Sequence, residues 1–426
     1  MLTRILKDFA KVPPHILYLM AAVFFIQLID SSLFILLNFY LKDLGYSDAE
    51  MAHLISYKYA AVVLCAFPFG LFIKGRRLVN FFRIASIAAP TLILSTLYAL
   101  ETGHTLLVYA LVFAFGVGTV CISVTAMPFI ILNTPQAQHS EAVTLYFQVF
   151  SATAFVSGMV NYLLNSIAPD FFSEGTVLKM FGVLGFVSAF FISKIRVEEN
   201  ISERIPFRDF AHAYDWKRIG IAVLPTILIA IGAGLTIPFI NLFFMNVHGI
   251  NSRVFSLLGS ISFVLVVFVM VFIPAIRRRF GYNIVVNGFQ SLAVLALLIM
   301  AVTEWFADWQ WAATIAVVAF LIRQPLMQVA SPVTTEITLY YVGEQNQEMM
   351  GALNASIWSG SWFFSAIIFG ALRSWDVAYV SIFLMTVGLY AIATVVYYWL
   401  IKDYERMKQT ENSATEIELL AKQKVA

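Results

Sequence analysis

Long apolar runs, repeated from one end of the chain to the other, constrain this sequence more than anything else in it. A helix needs roughly 20 apolar residues to cross a bilayer core about 30 Å thick. Runs of that length fall near 15–41, 50–73, 80–100, 104–133, 140–167, 176–194, 218–245, 252–275, 283–303, 309–335, 348–372 and 376–401. They are continuously apolar rather than alternating, so membrane-spanning helices are expected and a β-barrel is not. The first run is too long, and leads too directly into a second, to be a signal peptide. With 60% apolar and 12% charged residues and a mean hydropathy of +0.83, the chain has too little polar surface for a water-soluble enzyme. Basic and acidic residues nearly balance, 27 against 25, which gives no electrostatic basis for a nucleic-acid partner. Cys65 and Cys121 lie inside apolar runs and the six histidines are scattered. No disulfide framework, metal site or cofactor is therefore expected.

Lys and Arg in the short connections orient the spans. Arg4, Lys7 and Lys11 precede span one, and Lys74, Arg76, Arg77 and Arg83 follow span two. Lys194, Arg196, Arg204, Arg208, Lys217 and Arg218 follow span six, Arg277, Arg278 and Arg279 follow span eight, and Lys402, Arg406 and Lys408 follow span twelve. The opposite loops hold only Lys42, Arg253 and Arg373. Both termini are expected in the cytoplasm, in a bacterial plasma (inner) membrane. The expected division is a terminus over 1–14, a six-helix bundle over 15–194, a charged linker over 195–217, a second bundle over 218–401 and a tail over 402–426. The tail is expected to begin helical and then fray.

The second half repeats the first. Span one ends Phe39-Tyr40-Leu41 with Gly45 four residues on; span seven ends Phe243-Phe244-Met245 with Gly249 four residues on. Pro128 in span four and Pro332 in span ten stand at the same offset. Pro68 and Gly75 after span two mirror Pro274 and Gly281 after span eight, and Glu141 and Glu348 open spans five and eleven.

Twelve spans in a 6+6 repeat, with a basic mid-chain loop and basic loops after spans two and eight, resemble the major facilitator superfamily. The resemblance covers about residues 12 to 402. It implies an all-α polytopic protein of two pseudo-symmetric six-helix bundles that moves a solute by alternating access. The family's loop after span two usually reads Gly-x-Leu-Ala-Asp-Arg-x-Gly-Arg. Here Gly70, Lys74, Gly75, Arg76 and Arg77 keep a glycine and the basic pair without the acidic residue. Span four lacks the arginine of many proton-coupled members, and span five lacks the Gly-Pro-x-x-Gly-Gly pattern of many drug antiporters.

Three charges lie deep enough to need a reason, since a charge at mid-bilayer costs at least about 2.5–3.5 kcal/mol on insertion scales. Asp30 lies about 22 Å along span one at 1.5 Å per residue, Lys58 is at a similar depth in span two, and Arg323 is near the centre of span ten. The repeat maps Asp30 onto Gly234 and Arg323 onto Thr119. Architecture tends to symmetry and a bound solute does not, so the three charges point to function. A structural Asp30–Lys58 ion pair is the competing reading. Polar residues recur at helical spacing on span one (Gln27, Asn38), span five (Gln148), span ten (Gln324, Gln328) and span eleven (Asn354, Trp358). These faces are expected to line a central cavity with Lys58 and Arg323. Pro225, Pro238, Pro325 and Pro332 are expected to loosen spans seven and ten.

The resulting expectation is a monomeric secondary active transporter for a small organic solute, anionic or polar, coupled to protons through Asp30 with Glu141 as second candidate. No phosphate-binding loop is present, so ATP is not the driver. Lys74, Arg76, Arg77, Arg277, Arg278 and Arg279 are expected to form a cytoplasmic gate with Glu336 and Glu348. A multidrug or amphiphile exporter, and a lipid or lysolipid flippase, remain alternatives on the same fold.

Overall fold

The structure, a computed structural model, describes residues 12–73, 76–135, 138–199, 215–343 and 346–425. The first half comprises α1 (Pro14–Asp43), α2 (Asp48–Ile73), α3 (Val79–Glu101), α4 (Thr105–Leu132) and α5 (His139–Ile167). It ends with α6 (Glu174–Gly185) and α7 (Val187–Ser193), which together make the sixth span. In the second half, α8 (Trp216–Thr236) and α9 (Ile240–His248) make the seventh span and α10 (Ser252–Asn283) the eighth. Then come α11 (Phe289–Val302), α12 (Ala312–Val342), α13 (Gln347–Ser374) and α14 (Tyr379–Val425). Among the described residues, eleven helical stretches are long and apolar enough to cross a membrane. The remaining span is α13, 28 residues long and interrupted by Asn354, Ser356, Ser359, Ser361 and Ser365.

The start of α1 and the C-terminal part of α14 lie at one end of the bundle, called here the near end. Exposed tryptophans mark two levels along the molecule: Trp216 and Trp399 towards the near end, and Trp305, Trp309, Trp311 and Trp375 at the far end. Amphipathic rings at those levels fit the two bilayer interfaces.

The repeated glycines end their helices for a shared reason. Gly45 (φ 86°) and Gly249 (φ 65°) both adopt the left-handed conformation that turns the chain after spans one and seven. The next helices are capped at once. The Ser47 backbone N–H donates to Glu50 at 2.8 Å while Ser47 Oγ accepts from the Glu50 N–H at 3.3 Å, a reciprocal capping box. In the second half the Asn251 side chain accepts from the Val254 N–H.

Several boundaries differ from the sequence reading. Pro238 coincides with a 3-10 break at Ile237–Phe239 in span seven. Pro225 lies inside uninterrupted α8, and Pro325 and Pro332 inside uninterrupted α12, so these three do not break their helices. The eighth span does not stop near 275: helix continues to Asn283, kinked at Gly281 (φ 76°), and passes through a π-helical turn over Ile284–Gly288. The tail continues as helix, with α14 running through Val425.

Within the first half, α4 packs on α2 and α3, while α1 packs on α5, α6 and α7. In the second, α8 packs on α13 and α14, and α12 on α10 and α11. The halves meet chiefly along two helix pairs, α2 with α13 and α5 with α10, with α1 also touching α9 and α10. Small residues permit the close approach, as expected where lipid supplies no hydrophobic drive. A Cβ on Gly158 would stand 2.4 Å from Ser260 Oγ and 2.6 Å from the Ser256 carbonyl oxygen. A Cβ on Gly370 would reach the Ala49 carbonyl and Ala52 at 3.4 Å.

Candidate functional site

Asp30 and Lys58, read from sequence as equally deep, are paired: Lys58 Nζ donates to Asp30 Oδ1. The pair is partly open, with side chains 31% and 21% exposed. Sequence sets this position locally. Gly116 on α4 has no side chain, and a Cβ there would lie 2.5 Å from the Lys58 carbonyl oxygen. That contact lets α2 lie against α4 and brings Phe115 under the ammonium, 5.8 Å from ring centroid to Nζ, with Tyr59 at the same distance. Tyr59 in turn meets Trp362 of α13 edge-on, centroids 5.2 Å apart. The site therefore joins a charge pair on the first half to an aromatic contact with the second. Its asymmetry is real, because the repeat puts glycine opposite the acid. Gly234 is packed so tightly that a Cβ would stand 2.7 Å from Ser365 Cβ.

Arg323 was expected to line an open cavity, and the structure corrects this. It is 1% exposed, and among the described residues no hydrogen bond within 3.5 Å reaches its Nε or either terminal nitrogen. It faces into the second half, beside the buried phenol of Tyr390 on α14. Tyr390 also fills the space left by Gly232 on α8, where a Cβ would meet its ring at 2.7 Å. A cation enclosed with a phenol beside it and no acid among the described residues is unusual at any depth.

Asn38, expected to touch solute, is 2% exposed. Its amide donates to the Pro238 carbonyl and to Asn241 Oδ1, both at 2.8 Å, so it joins the halves instead. The break at Pro238 frees the carbonyl that Asn38 takes. Gln27 and Gln324 are half-buried, Gln148 and Gln328 are exposed, and Trp358 is about one-third exposed. Asn354 has an enclosed Oδ1 without a partner. Among the described residues these side chains form no hydrogen bonds with one another.

Of the near-end gate, Lys74 lies outside the described residues, as do the side chains of Glu141, Arg277, Arg278 and Glu348. Arg76 stacks on Phe72 with its guanidinium carbon 3.8 Å from the ring centroid. Arg77 and Arg279 are exposed. Glu336 accepts from the Tyr282 hydroxyl at 3.0 Å, tying the end of α10 to α12. Glu199 accepts from the Leu78 and Val79 N–H groups, holding the start of the linker against the first turn of α3.

The far end carries a cluster that sequence reasoning missed. Asp48, 7% exposed, opens α2 and is surrounded by donors of the second half. Arg373 Nε donates at 3.1 Å with its terminal nitrogen also at 3.1 Å, Asn246 donates at 3.3 Å, and the Tyr379 hydroxyl donates as well. Lys42 Nζ stands 3.7 Å away. The repeat maps Asp48 onto Ser252, which opens α10 and donates to Glu174 of α6. Two contacts related by the internal symmetry thus bolt the halves together. Between them lie Asn38–Asn241, Asn161 donating to Ser256 at 2.8 Å, and Phe39 against Phe255 at 5.8 Å. The signal was available: Asp48 and Ser252 each follow a repeated glycine by three residues. At the near end, the His15–Asn133 and Tyr341–Asp403 bonds each lie within one half. The bundle is closed at the far end.

Solved transporters share this fold. A bacterial homologue of the iron transporter ferroportin in its inward-facing state is similar at 13% identity and TM-score 0.68, over 91% of this chain and 98% of that one. The same homologue in its outward-facing state gives 0.58, over 91% and 99%. A D-xylose-proton symporter is similar at 12% identity and TM-score 0.68, over 89% and 96%. The nucleoside transporter NupG is similar at 12% identity and TM-score 0.65, over 91% and 99%. No curated protein sequence is significantly similar to this chain. Residues 19–365 match the family profile described as Major Facilitator Superfamily. Spans, repeat, inter-half seams and profile agree, and the chain belongs to the Major Facilitator Superfamily.

Proposed function

We propose that this protein is a secondary active transporter that moves a small organic solute, anionic or polar, by alternating access with proton coupling. The observation that carries the reading is the Asp30–Lys58 pair, a partly open charge pair deep in the membrane-spanning region. A buried pair held for stability alone has little reason to stay open to solvent. Opened to solvent, Asp30 is free to exchange its partner for a proton, and Lys58 is then free to meet an anion. The far-end seal corresponds to a state open towards the cytoplasm, given the basic residues at the near end.

Arg323 supports the anionic preference. Its guanidinium stays protonated, and among the described residues no acid stands beside it. Rearrangement of α12 against α14 during opening would expose a fork suited to a carboxylate or phosphate. The aromatic contact of Tyr59 with Trp362 supplies an apolar wall beside the charge pair. Purified protein in liposomes should take up members of a labelled solute panel faster under an imposed pH gradient than without one. Equal uptake under both conditions sinks the proton coupling, and uptake restricted to lipophilic cations sinks the anionic reading.

A further inference from the structure

A second site lies on the flank of the bundle, away from the charge pair. Where α2, α4 and α13 meet at the far end, a groove of about 300 Å³ is lined by Glu50, His53, Tyr109, Gly370, Ala371 and Ser374 among others. That volume is at the lower limit for pockets that hold small molecules. Two rings, His53 and Tyr109, line it, and Tyr57 packs against both. His53 stands edge-on to both Tyr57 and Tyr109 at 5.3 Å, and Tyr57 and Tyr109 lie 4.7 Å apart. His53 Nδ1 is 3.3 Å from the Tyr109 hydroxyl, which fixes the two rings relative to each other. Glu50 stands at the rim with one carboxylate oxygen held by Ser47, at 2.8 Å from its N–H and 2.7 Å from its hydroxyl. The other oxygen makes no hydrogen bond among the described residues.

We propose that this groove holds the ammonium headgroup of a zwitterionic phospholipid from the far-end leaflet. Aromatic faces beside a carboxylate attract an amine or quaternary ammonium, and an anionic headgroup would be repelled by Glu50. Depth selects a lipid over a dissolved amine. His53 lies five residues into α2, about 8 Å from its start at 1.5 Å per residue. Ser374 ends α13, and the next residue, Trp375, is 75% exposed at the interfacial level. Ile367 and Ala371 are exposed on the flank, so acyl chains can follow α13 while the headgroup turns inward.

The groove has a wall in each half, with α2 and α4 on one side and α13 on the other. Its floor is the α2–α13 crossing at Gly370, beside the Asp48–Arg373 contact. A lipid seated there touches both halves only while the far end is closed, so its binding favours that state.

The test uses the full-length protein in nanodiscs with equal phosphatidylethanolamine, phosphatidylcholine and phosphatidylglycerol, released for native mass spectrometry. Lipids with an amine or choline headgroup should be retained about 5- to 10-fold over phosphatidylglycerol, in keeping with one desolvated cation–aromatic contact. The His53→Leu/Tyr109→Leu pair should remove that preference. Ala371→Trp, at an exposed position outside the ring cluster, should remove it too by filling the groove. Equal retention of all three lipids in wild type overturns the proposal, and so does a preference unchanged in both variants. Displacement of the lipid by millimolar soluble phosphocholine would also overturn it, assigning the groove to a dissolved amine.

Discussion

Replacing Asp48 by Asn removes one negative charge from the far-end seal with almost no change in shape. Three neutral or charged donors of the second half converge on this carboxylate, Arg373 with two nitrogens. Breaking a buried ion pair costs about 3–5 kcal/mol. Arg373 is 19% exposed, and it keeps a bond to the Val377 carbonyl at 2.6 Å and a face contact with Tyr379, so part of that cost is recovered. Because Asn still accepts one hydrogen bond, about 2–3 kcal/mol is the expected loss. The contact exists only with the far end closed, so the whole loss falls on the conformational equilibrium. At 1.4 kcal/mol per tenfold this is roughly a 30- to 140-fold shift towards the far-end-open state. A protein resting at about 99:1 would move to near-equal populations. Spin labels at Phe171 and Trp309, exposed far-end sites on opposite halves, would report it in a background with Cys65 and Cys121 replaced. Double electron–electron resonance should show a second, longer distance in Asp48→Asn. Arg373→Gln should do the same, and the double variant should add little, as expected of coupled partners. A distance distribution for Asp48→Asn identical to wild type would refute the reasoning.

Asp30→Asn should abolish solute accumulation driven by a pH gradient while preserving exchange of solute across the membrane; accumulation that survives moves the coupling role to Glu141. Arg323→Gln should leave thermal stability equal or higher, since it removes an enclosed charge with no acid beside it among the described residues, yet lower anionic uptake by at least about tenfold. Unchanged uptake in that variant removes Arg323 from the solute pathway. Arg323→Lys keeps the charge and loses the fork, and should weaken an anionic solute by about 1–3 kcal/mol, read as a rise in its half-saturation concentration. Gly158→Val should hold α5 off α10 at the far end, because even a Cβ would overlap Ser260 Oγ and the Ser256 carbonyl. A spin-label distance across that seam no longer than in wild type would count against the tight crossing.

The spans were legible because lipid requires every backbone group to be satisfied within its own helix, which forces the apolar residues into continuous runs. The repeat was legible through glycines and prolines, whose backbone constraints survive when side chains diverge. Helix breaks were harder to read. Membrane helices tolerate proline, so Pro225, Pro325 and Pro332 gave no break, while Pro238 stands in a 3-10 turn whose released carbonyl Asn38 takes. At the site, charge and depth singled out Asp30 and Lys58 and their pairing followed. Periodicity could not say which side of a helix faces the cavity and which faces a sister helix in the same half. Arg323 and Asn38 were misplaced for that reason. Asp48 escaped notice because an acid at a helix start reads as an ordinary capping residue, and only its partners, more than three hundred positions away in the case of Arg373, reveal otherwise.

The two symmetry-related bolts are not equally strong, and the difference gives opening an order. On the α2 side a full negative charge is gripped by a guanidinium, a phenol and an amide. On the α10 side Ser252 offers Glu174 a single hydroxyl. A door held by a heavy hinge on one edge and a light catch on the other swings from the catch. The α5–α10 seam should part first, with the halves pivoting about the α2–α13 crossing, so solute on the far side would meet the slot lined by α5 and α10 before any other.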